Sequence, residues 1–147
     1  MIWWGFIFYR VIFCKLGVTG EKVMINNNIN IKVETSFIKE RSSPTIPVYV
    51  FLYNIEVKNN QEAEVQLLSR YWHITDGNNH IEEVRGPGVV GKQPIIQPNK
   101  IFKYSSFCPL RTPFGVMHGF FQMKNSKGNQ FNALISPFRL IIPEHLN

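Results

Sequence analysis

The stretch PVYVFLYNIEVKN at residues 47–59 decides the fold, because its apolar side chains fall on every second residue. One face of this stretch carries Tyr49, Phe51, Tyr53, Ile55 and Val57. The opposite face begins apolar and becomes polar toward the end of the stretch. A period of two is that of an extended chain with one face in a core, so the stretch predicts a β-strand.

The same alternation continues on both sides of a strong turn at Asp76-Gly77. Further predicted strands are VQLLSRYWHIT (65–75), KIFKYSSF (100–107), VMHGFFQMKN (116–125), NQFNALI (129–135) and FRLII (138–142). No window of about eleven residues carries a helical stripe. The pattern predicts an all-β fold: an antiparallel β-sandwich of seven or eight strands, immunoglobulin-like or fibronectin type III-like.

The first 23 residues differ in kind from residues 24–147, which form the one predicted domain. Ile2 to Phe13 is nearly all apolar, yet it falls short of the ~20 residues of a membrane-spanning helix. It also lacks the basic start and small-residue cleavage site of a secretory signal. We interpret residues 1–23 as an extension, either a start codon placed too far upstream or a disordered segment. The alternative is a genuine extension that touches a membrane or a partner, whereas residues 24–147 are expected to stay off membranes.

The composition is that of a globular protein, with 14% aromatic and 18% charged residues among 147. Cys14 and Cys108 are too few and too far apart for a disulfide framework. Free thiols predict a reducing compartment, the cytoplasm.

The charge of the chain is polarised. Between Val84 and Pro143 there is no Asp or Glu, and eight Lys or Arg residues raise the positive charge of that part. Such a region attracts anions or acidic partner surfaces, although ordinary solubilising charge explains it too. Aromatic residues interleave with these cations, but most rings of a sandwich belong in its core, so nucleic-acid binding is not expected.

The loop EVRGPGVVGKQP (83–94) places Gly86, Gly88 and Gly91 in the G-x-G-x-x-G spacing of dinucleotide-binding loops. Prolines follow where the required helix would begin, and no acidic residue follows to hold a ribose. A phosphate loop is excluded as well, because Lys92 precedes Gln and not Ser or Thr. No cofactor is therefore predicted. Two interpretations remain: a backbone-permissive turn, or an anion-binding concavity of N–H groups rimmed by Arg85 and Lys92.

Other candidates for chemistry are weak. Asp76, Asn78, His80 and Glu82 alternate in DGNNHIEE like oxygen and nitrogen ligands of a divalent metal, which makes Asp76, His80 and Glu82 weak metal candidates. The offsets of an EF-hand are missing, and a solvated hairpin is the better account. Cys108 has no base at a suitable spacing and is expected to fill the core, with His118 lying ten residues later. These observations predict that the protein is not an enzyme.

Two long phrases carry a family resemblance: LLSRYWHITDGNNHIEEVRGPGVVGKQPIIQP (67–98) and CPLRTPFGVMHGFFQM (108–123). They resemble the ApaG family, also called the ApaG/CorD domain, and the resemblance extends over residues 24–147. It implies a fibronectin type III-like sandwich without established enzymatic activity. Bacterial members are associated with cobalt resistance and magnesium efflux, and related eukaryotic domains look like protein-interaction modules.

The resulting expectation is a module that binds a protein of unknown identity. The predicted surface joins the glycine loop, from Arg85 to Lys92, to the loop Cys108–Pro113, with Arg70 and Arg111 as polar anchors. Edge strands also predict a possible homodimer. The alternative is a sensor of a small anion, pyrophosphate or a nucleotide, held by loop N–H groups with Arg85, Lys92 and Arg111.

Overall fold

A computed structural model of the protein describes residues 22–145, with the backbone alone for residues 22–26. The predictions about the N-terminal extension fall almost wholly on residues outside this range. None of the helices in the described part is long and apolar enough to cross a membrane.

The described residues form strands almost throughout. The strands are β1 (Lys22–Asn26), β2 (Ile29–Phe37), β3 (Tyr49–Asn59), β4 (Val65–Asp76), β5 (Ile81–Pro87), β6 (Ile95–Ile96), β7 (Ile101–Leu110), β8 (Phe114–Asn125) and β9 (Gln130–Ile141). Two single-turn 3-10 helices cover Lys39–Arg41 and Pro143–His145. Apart from the two-residue β6, eight strands of five residues or more lie within residues 22–145, which confirms the all-β prediction.

Two antiparallel sheets form the sandwich. The first has the order β1-β2-β3-β7, and the second has the order β5-β4-β8-β9 with β6 paired to β4. The chain changes sheet after β3, between β6 and β7, and again after β7. These crossings give the Greek-key arrangement of immunoglobulin-like and fibronectin type III-like domains.

The core lies between the inward faces of the two sheets, where the alternation of residues 47–59 points. Phe51, Ile55 and Val57 are almost completely buried there. Trp72 from β4 meets this face and packs edge-on against Tyr53, with ring centroids 5.6 Å apart. Burying one large apolar side chain contributes about 1.5–3 kcal/mol, so a one-residue slip that exposed this row would be strongly destabilising.

A buried amide fixes the corner where β3 ends. The side chain of Asn59 is completely buried, and its Nδ2 donates to the carbonyl oxygens of Ala63 (2.8 Å) and Ile96 (2.9 Å). Its Oδ1 accepts from the N–H of Gln61 at 2.8 Å. Because every polar atom of this amide is bonded, its burial joins β3, the β3–β4 turn and β6 without a desolvation penalty left unmet.

Candidate functional site

The three glycines of the G-x-G-x-x-G spacing meet three different local constraints. Gly88 has φ of +58°, and a Cβ there would lie 2.1 Å from the carbonyl oxygen of Lys92. Gly91 has φ of +77° but open space around it. A Cβ on Gly86 would lie 3.0 Å from Nη1 of Arg70. The spacing therefore arises from backbone geometry and packing at each position.

The tip of the loop is a two-residue hairpin turn. Val89 and Lys92 exchange backbone hydrogen bonds of 2.8 and 2.9 Å, with Val90 and Gly91 between them. Both central residues have positive φ, 44° for Val90, as a type I′ turn requires. A β-branched residue rarely adopts this region, so exposed Val90 is held in a strained conformation.

Backbone bonding occupies much of the proposed anion concavity. The N–H of Gly88 donates to the carbonyl oxygen of Leu68 at 2.7 Å, in addition to the two amides of Val89 and Lys92 already paired with each other. In this conformation none of these three N–H groups is available to an anion.

Arg70 lies beneath the loop. Its Nη1 donates to the carbonyl oxygens of Pro87 (3.2 Å) and Gly88 (2.9 Å). The half-buried guanidinium also fills the space beside Gly86, where an added Cβ would lie 3.0 Å from Nη1. Arg70 therefore braces the glycine loop from inside, and its predicted role as an anchor for a partner does not fit this position.

Arg111 lies at the opposite end of β4 from the glycine loop. It lines a cleft of about 310 Å³ together with Pro47, Val48, Ile74, Asp76, His80, Glu82, Pro109 and Leu110. The loop begins where Pro87 pairs with Ser69, and Asp76 follows seven residues later, about 23 Å away at about 3.3 Å per residue. The predicted surface joining both loops is therefore wrong, because a whole strand length separates them.

The same separation affects the predicted anion site. Arg85 pairs with Tyr71 in the middle of β4, and Lys92 lies at the exposed tip of the glycine loop. Arg111 stands at the far end of the sandwich. The three cations do not converge on one anion.

The weak metal candidates Asp76, His80 and Glu82 all line the cleft, but Asp76 is bonded to the backbone of the hairpin turn. Oδ1 of Asp76 accepts the N–H groups of Asn78 (2.8 Å) and His80 (2.9 Å), and the residue is only 8% exposed. Between residues 22 and 145, no group of three or more His, Cys, Asp or Glu is placed to hold a metal ion. Asp76, His80 and Glu82 are therefore corrected to hairpin and cleft residues, since the carboxylate of Asp76 is bonded to the turn itself.

Cys108 fills the core between the sheets, as predicted, with 3% of its surface exposed. Burial raises the pKa of its thiol to about 12, and the nearby charge of Glu82 acts in the same direction. At neutral pH the thiol stays protonated and is a poor nucleophile.

A cluster that the sequence did not single out lies on the outward face of the second sheet. We call Tyr71, His73, Arg85, His118 and Phe120 the outer cluster. The Arg85 guanidinium lies 4.1 Å from the ring centroid of Tyr71, a cation–π distance. The Tyr71 ring in turn packs against Phe120, with centroids 5.0 Å apart.

The tyrosine is also held by its hydroxyl. Tyr71 Oη donates to Oε1 of Glu83 at 2.5 Å, and this bond raises the pKa of Tyr71. Since ring and hydroxyl are both engaged, the Tyr71 side chain is fixed before any partner arrives.

The two histidines of the outer cluster face each other across β4 and β8. Their rings stack with centroids 4.6 Å apart and an interplanar angle of 27°. Partial burial, and then the proximity of His73, lower the pKa of His118. Nδ1 of His73 is shielded from solvent and has no hydrogen-bond partner within the described residues.

Strand alternation could have found the outer cluster only if the pairing were known. Tyr71 and His73 alternate with buried Trp72 and Ile74, which marks them as outward residues. The register that sets Tyr71 opposite both Arg85 and Phe120 comes from β4 pairing with β5 and β8 at once. Sequence reasoning assigned Arg85 to the glycine loop and did not predict this register.

The family model and the curated relatives agree on one family, the ApaG family. The family model described as the ApaG domain matches residues 39–125. Protein ApaG of Mesorhizobium japonicum is 46% identical over 119 residues, covering 81% of this chain and 92% of the relative. Protein ApaG of Brucella anthropi is 48% identical over 120 residues, with 82% and 92% covered. The X-ray structure of a Northeast Structural Genomics Consortium target has a TM-score of 0.78 at 44% identity, covering 82% of this chain and 91% of that one.

Proposed function

The chain belongs to the ApaG family, and from that premise we propose that it is a non-enzymatic module that binds another protein through the outer cluster. The observation that carries the proposal is the stack of Arg85 on Tyr71 and of Tyr71 on Phe120 on an open sheet face. Arginine and aromatic side chains dominate the centres of protein interfaces.

Rigidity of the outer cluster supports this use. Each ring packs on a neighbour, and the Tyr71 hydroxyl is bonded to Glu83. Binding a partner therefore requires little further ordering of side chains, which is a main cost of association. Next to the cluster, Leu134 lies opposite Phe120 and extends the apolar part of the face.

Glu83 also lies on this face, where it accepts the Tyr71 hydroxyl, but Arg85 and Arg139 leave the face positive, which indicates an acidic partner. Arg85 is exposed, and Arg139 lies opposite Val116 on the same sheet. A guanidinium stacked on a ring still presents its N–H edge, so a carboxylate of the partner can accept two hydrogen bonds from Arg85.

The partner protein, and not this module, would account for the family association with cobalt resistance and magnesium efflux. The described residues contain no group of three or more His, Cys, Asp or Glu placed to hold a metal ion. We therefore propose that divalent cations act on the protein that this module binds, and that both proteins lie in the cytoplasm.

The second candidate function is a sensor of a small anion. Because Arg111 lies far from the glycine loop, the cations of such a site are reduced to Arg85 and exposed Lys92. It predicts that millimolar pyrophosphate raises the melting temperature and that Arg85→Ala abolishes the rise. An unchanged melting temperature would eliminate this candidate.

Quantitative affinity purification tests the proposal. Tagged wild type, Tyr71→Ala and Arg85→Ala are compared with Lys58→Ala, which removes a charge from the first sheet and leaves the outer cluster intact. We expect the two cluster variants to lose at least ~90% of a specific partner, about 1.4 kcal/mol of binding, and the control to retain it. Equal recovery by all four proteins would refute the use of this face.

A further inference from the structure

We propose that β7 is a docking edge, to which an extended segment of a partner protein adds as a further strand of the first sheet. The segment has apolar side chains on its inward face and carboxylates on its outward face. This surface lies on a different sheet from the outer cluster, so the inference does not depend on the proposed function.

The backbone bonding shows which groups of β7 are open. The N–H of Ile38 donates to Val50 and that of Asn60 donates to Asn28, both at 2.8 Å, so even-numbered residues of β3 bond to β2. The N–H of Asn59 donates to Lys100 at 3.1 Å, so odd-numbered residues of β3 bond to β7. In this register every odd-numbered residue of β3 lies opposite an even-numbered residue of β7, as Ile55 lies opposite Tyr104. The even-numbered residues of β7 therefore make the backbone hydrogen bonds to β3.

Odd-numbered residues of β7 therefore direct their N–H and C=O groups away from β3. Pro109 belongs to this odd set, at a position where a missing N–H breaks no ladder bond. The open row thus offers four N–H donors, those of Ile101, Lys103, Ser105 and Phe107. Among the described residues no strand pairs with this side of β7.

The other edges are less suited to receive a strand. β5 has only seven residues, and three of its first five carry charges: Glu82, Glu83 and Arg85. β9 runs beside β2, with Thr35 Oγ1 donating to the Arg139 carbonyl at 3.4 Å, and its register with β8 shifts at His118. β7 pairs with β3 over its ten residues with no such shift.

The side chains of β7 define what the added strand carries. Its even residues Tyr104, Cys108 and Leu110 are buried, so the side chains that the added strand directs inward extend this apolar row. Glu82 from β5 lies near Cys108, which keeps carboxylates of the added strand on its outward face. Its odd residues are exposed, including Ile101 and Phe107, each 46% exposed.

Lys103 is the one charged residue of the exposed row, and two arginines from outside the strand lie close to its other end. The Arg41 guanidinium lies 4.7 Å from the Phe107 ring centroid, and Arg111 follows the end of the strand. Lys103 meets one carboxylate, Glu56 at 3.0 Å. Opposite charges across neighbouring strands are stabilising, so the outward face of the added strand is acidic.

A second copy of this chain fits the edge less well. The exposed row of its β7 holds Ile101, Lys103, Ser105, Phe107 and Pro109, so a second copy brings a lysine and no carboxylate to the edge. It therefore cannot supply the opposite charge that stabilises a neighbouring strand.

The probe is a synthetic ten-residue peptide of alternating Val and Glu, with an alternating Val and Lys peptide as its charge control. Hydrogen exchange by NMR reads the amides of Ile101, Lys103, Ser105 and Phe107. We expect the acidic peptide to slow their exchange at least ~10-fold while the basic peptide leaves it unchanged. Unchanged exchange with the acidic peptide, or equal effects of both peptides, would overturn the inference.

Ser105→Pro and Ser105→Ala form a matched pair. Both remove the hydrogen bond from Ser105 Oγ to Asn54 Oδ1, and the proline alone removes the outward N–H. We expect Ser105→Pro to weaken the affinity for the acidic peptide at least ~10-fold, and Ser105→Ala to change this affinity less than ~3-fold. Arg85→Ala is expected to leave it unchanged, which separates this site from the outer cluster.

Equal affinities for the matched pair would contradict strand addition. A concentration-dependent dimer in sedimentation that Ser105→Pro abolishes would replace the acidic segment with a second copy and overturn the inference. If Ser105→Pro fails to fold by circular dichroism, the exchange measurement on the wild type still decides the matter.

Discussion

Nη1 of Arg70 donates to the carbonyl oxygen of Gly88 at 2.9 Å, and this bond closes a loop whose glycines have the spacing of a cofactor-binding loop. The guanidinium lies against Gly86 and also donates to the carbonyl oxygen of Pro87. The glycines let the backbone close over this arginine. The motif is therefore an internally bonded corner of a sandwich, and partner binding is expected elsewhere.

Substitution of the glycines separates close packing from positive φ. Gly91→Ala adds only the strain of positive φ, about 1–2 kcal/mol, because the space around it is open. Gly88→Ala adds the same strain and a Cβ 2.1 Å from the Lys92 carbonyl oxygen, so we expect a clearly larger loss. Urea unfolding measures both, and equal losses would show that the close approach is absent in solution.

Val90→Asn is expected to stabilise the protein by on the order of 1 kcal/mol. Asn adopts positive φ more readily than a β-branched residue does, and Asn-Gly is the preferred pair of a type I′ turn. Val90→Thr is the matched control because it keeps the branch and the strain. Thermal unfolding in which Asn and Thr behave alike would contradict the strained turn.

His118 gives the protein a pH-dependent stability. Its pKa is lowered in the fold, and the unfolded value is about 6.5, so the unfolded state binds the proton first as the pH falls. The stability from this group is complete above pH ~6.5 and is lost as the pH falls through the folded pKa.

Urea unfolding at about pH 7.5 and about pH 5.5 measures this loss. His118→Gln cannot take up the proton, so we expect the wild type to lose more stability than this variant between the two pH values. Equal losses would show that the stacked pair does not shift the titration.

Cys108 is expected to resist thiol reagents in the native state. Its pKa of about 12 leaves on the order of one thiolate per 10⁵ molecules at pH 7, and little surface is exposed. The measurement uses a Cys14→Ser background and a chromogenic disulfide, with and without denaturant. Rapid labelling of the native protein would contradict the burial of this thiol.

The sequence predicts the sandwich because strand alternation is a local signal. Tyr53 and Ile55 face inward on period two alone, and Asp76-Gly77 marks a turn without knowledge of the rest of the chain. The completely buried amide of Asn59 escapes such reasoning, since its partners Ala63 and Ile96 become neighbours only after the sheets have formed.

The site is less predictable than the fold for the same reason. The outer cluster depends on two strand registers, which set Tyr71 against Arg85 and Phe120. The residues of SRYW and RGPG alone do not reveal which strands pair or in which register. The predicted joining of the glycine loop to Arg111 is wrong because linear order does not reveal that they lie at opposite ends of β4.

The most direct test of the outer cluster is site-specific photocrosslinking in living cells. A benzoylphenylalanine replaces Phe120 within the cluster or Glu34, an exposed residue on the first sheet. We predict a discrete heterologous adduct from position 120 that disappears with Arg85→Ala, and none from position 34. No adduct at position 120, or the same adduct at both positions, would contradict binding through this face.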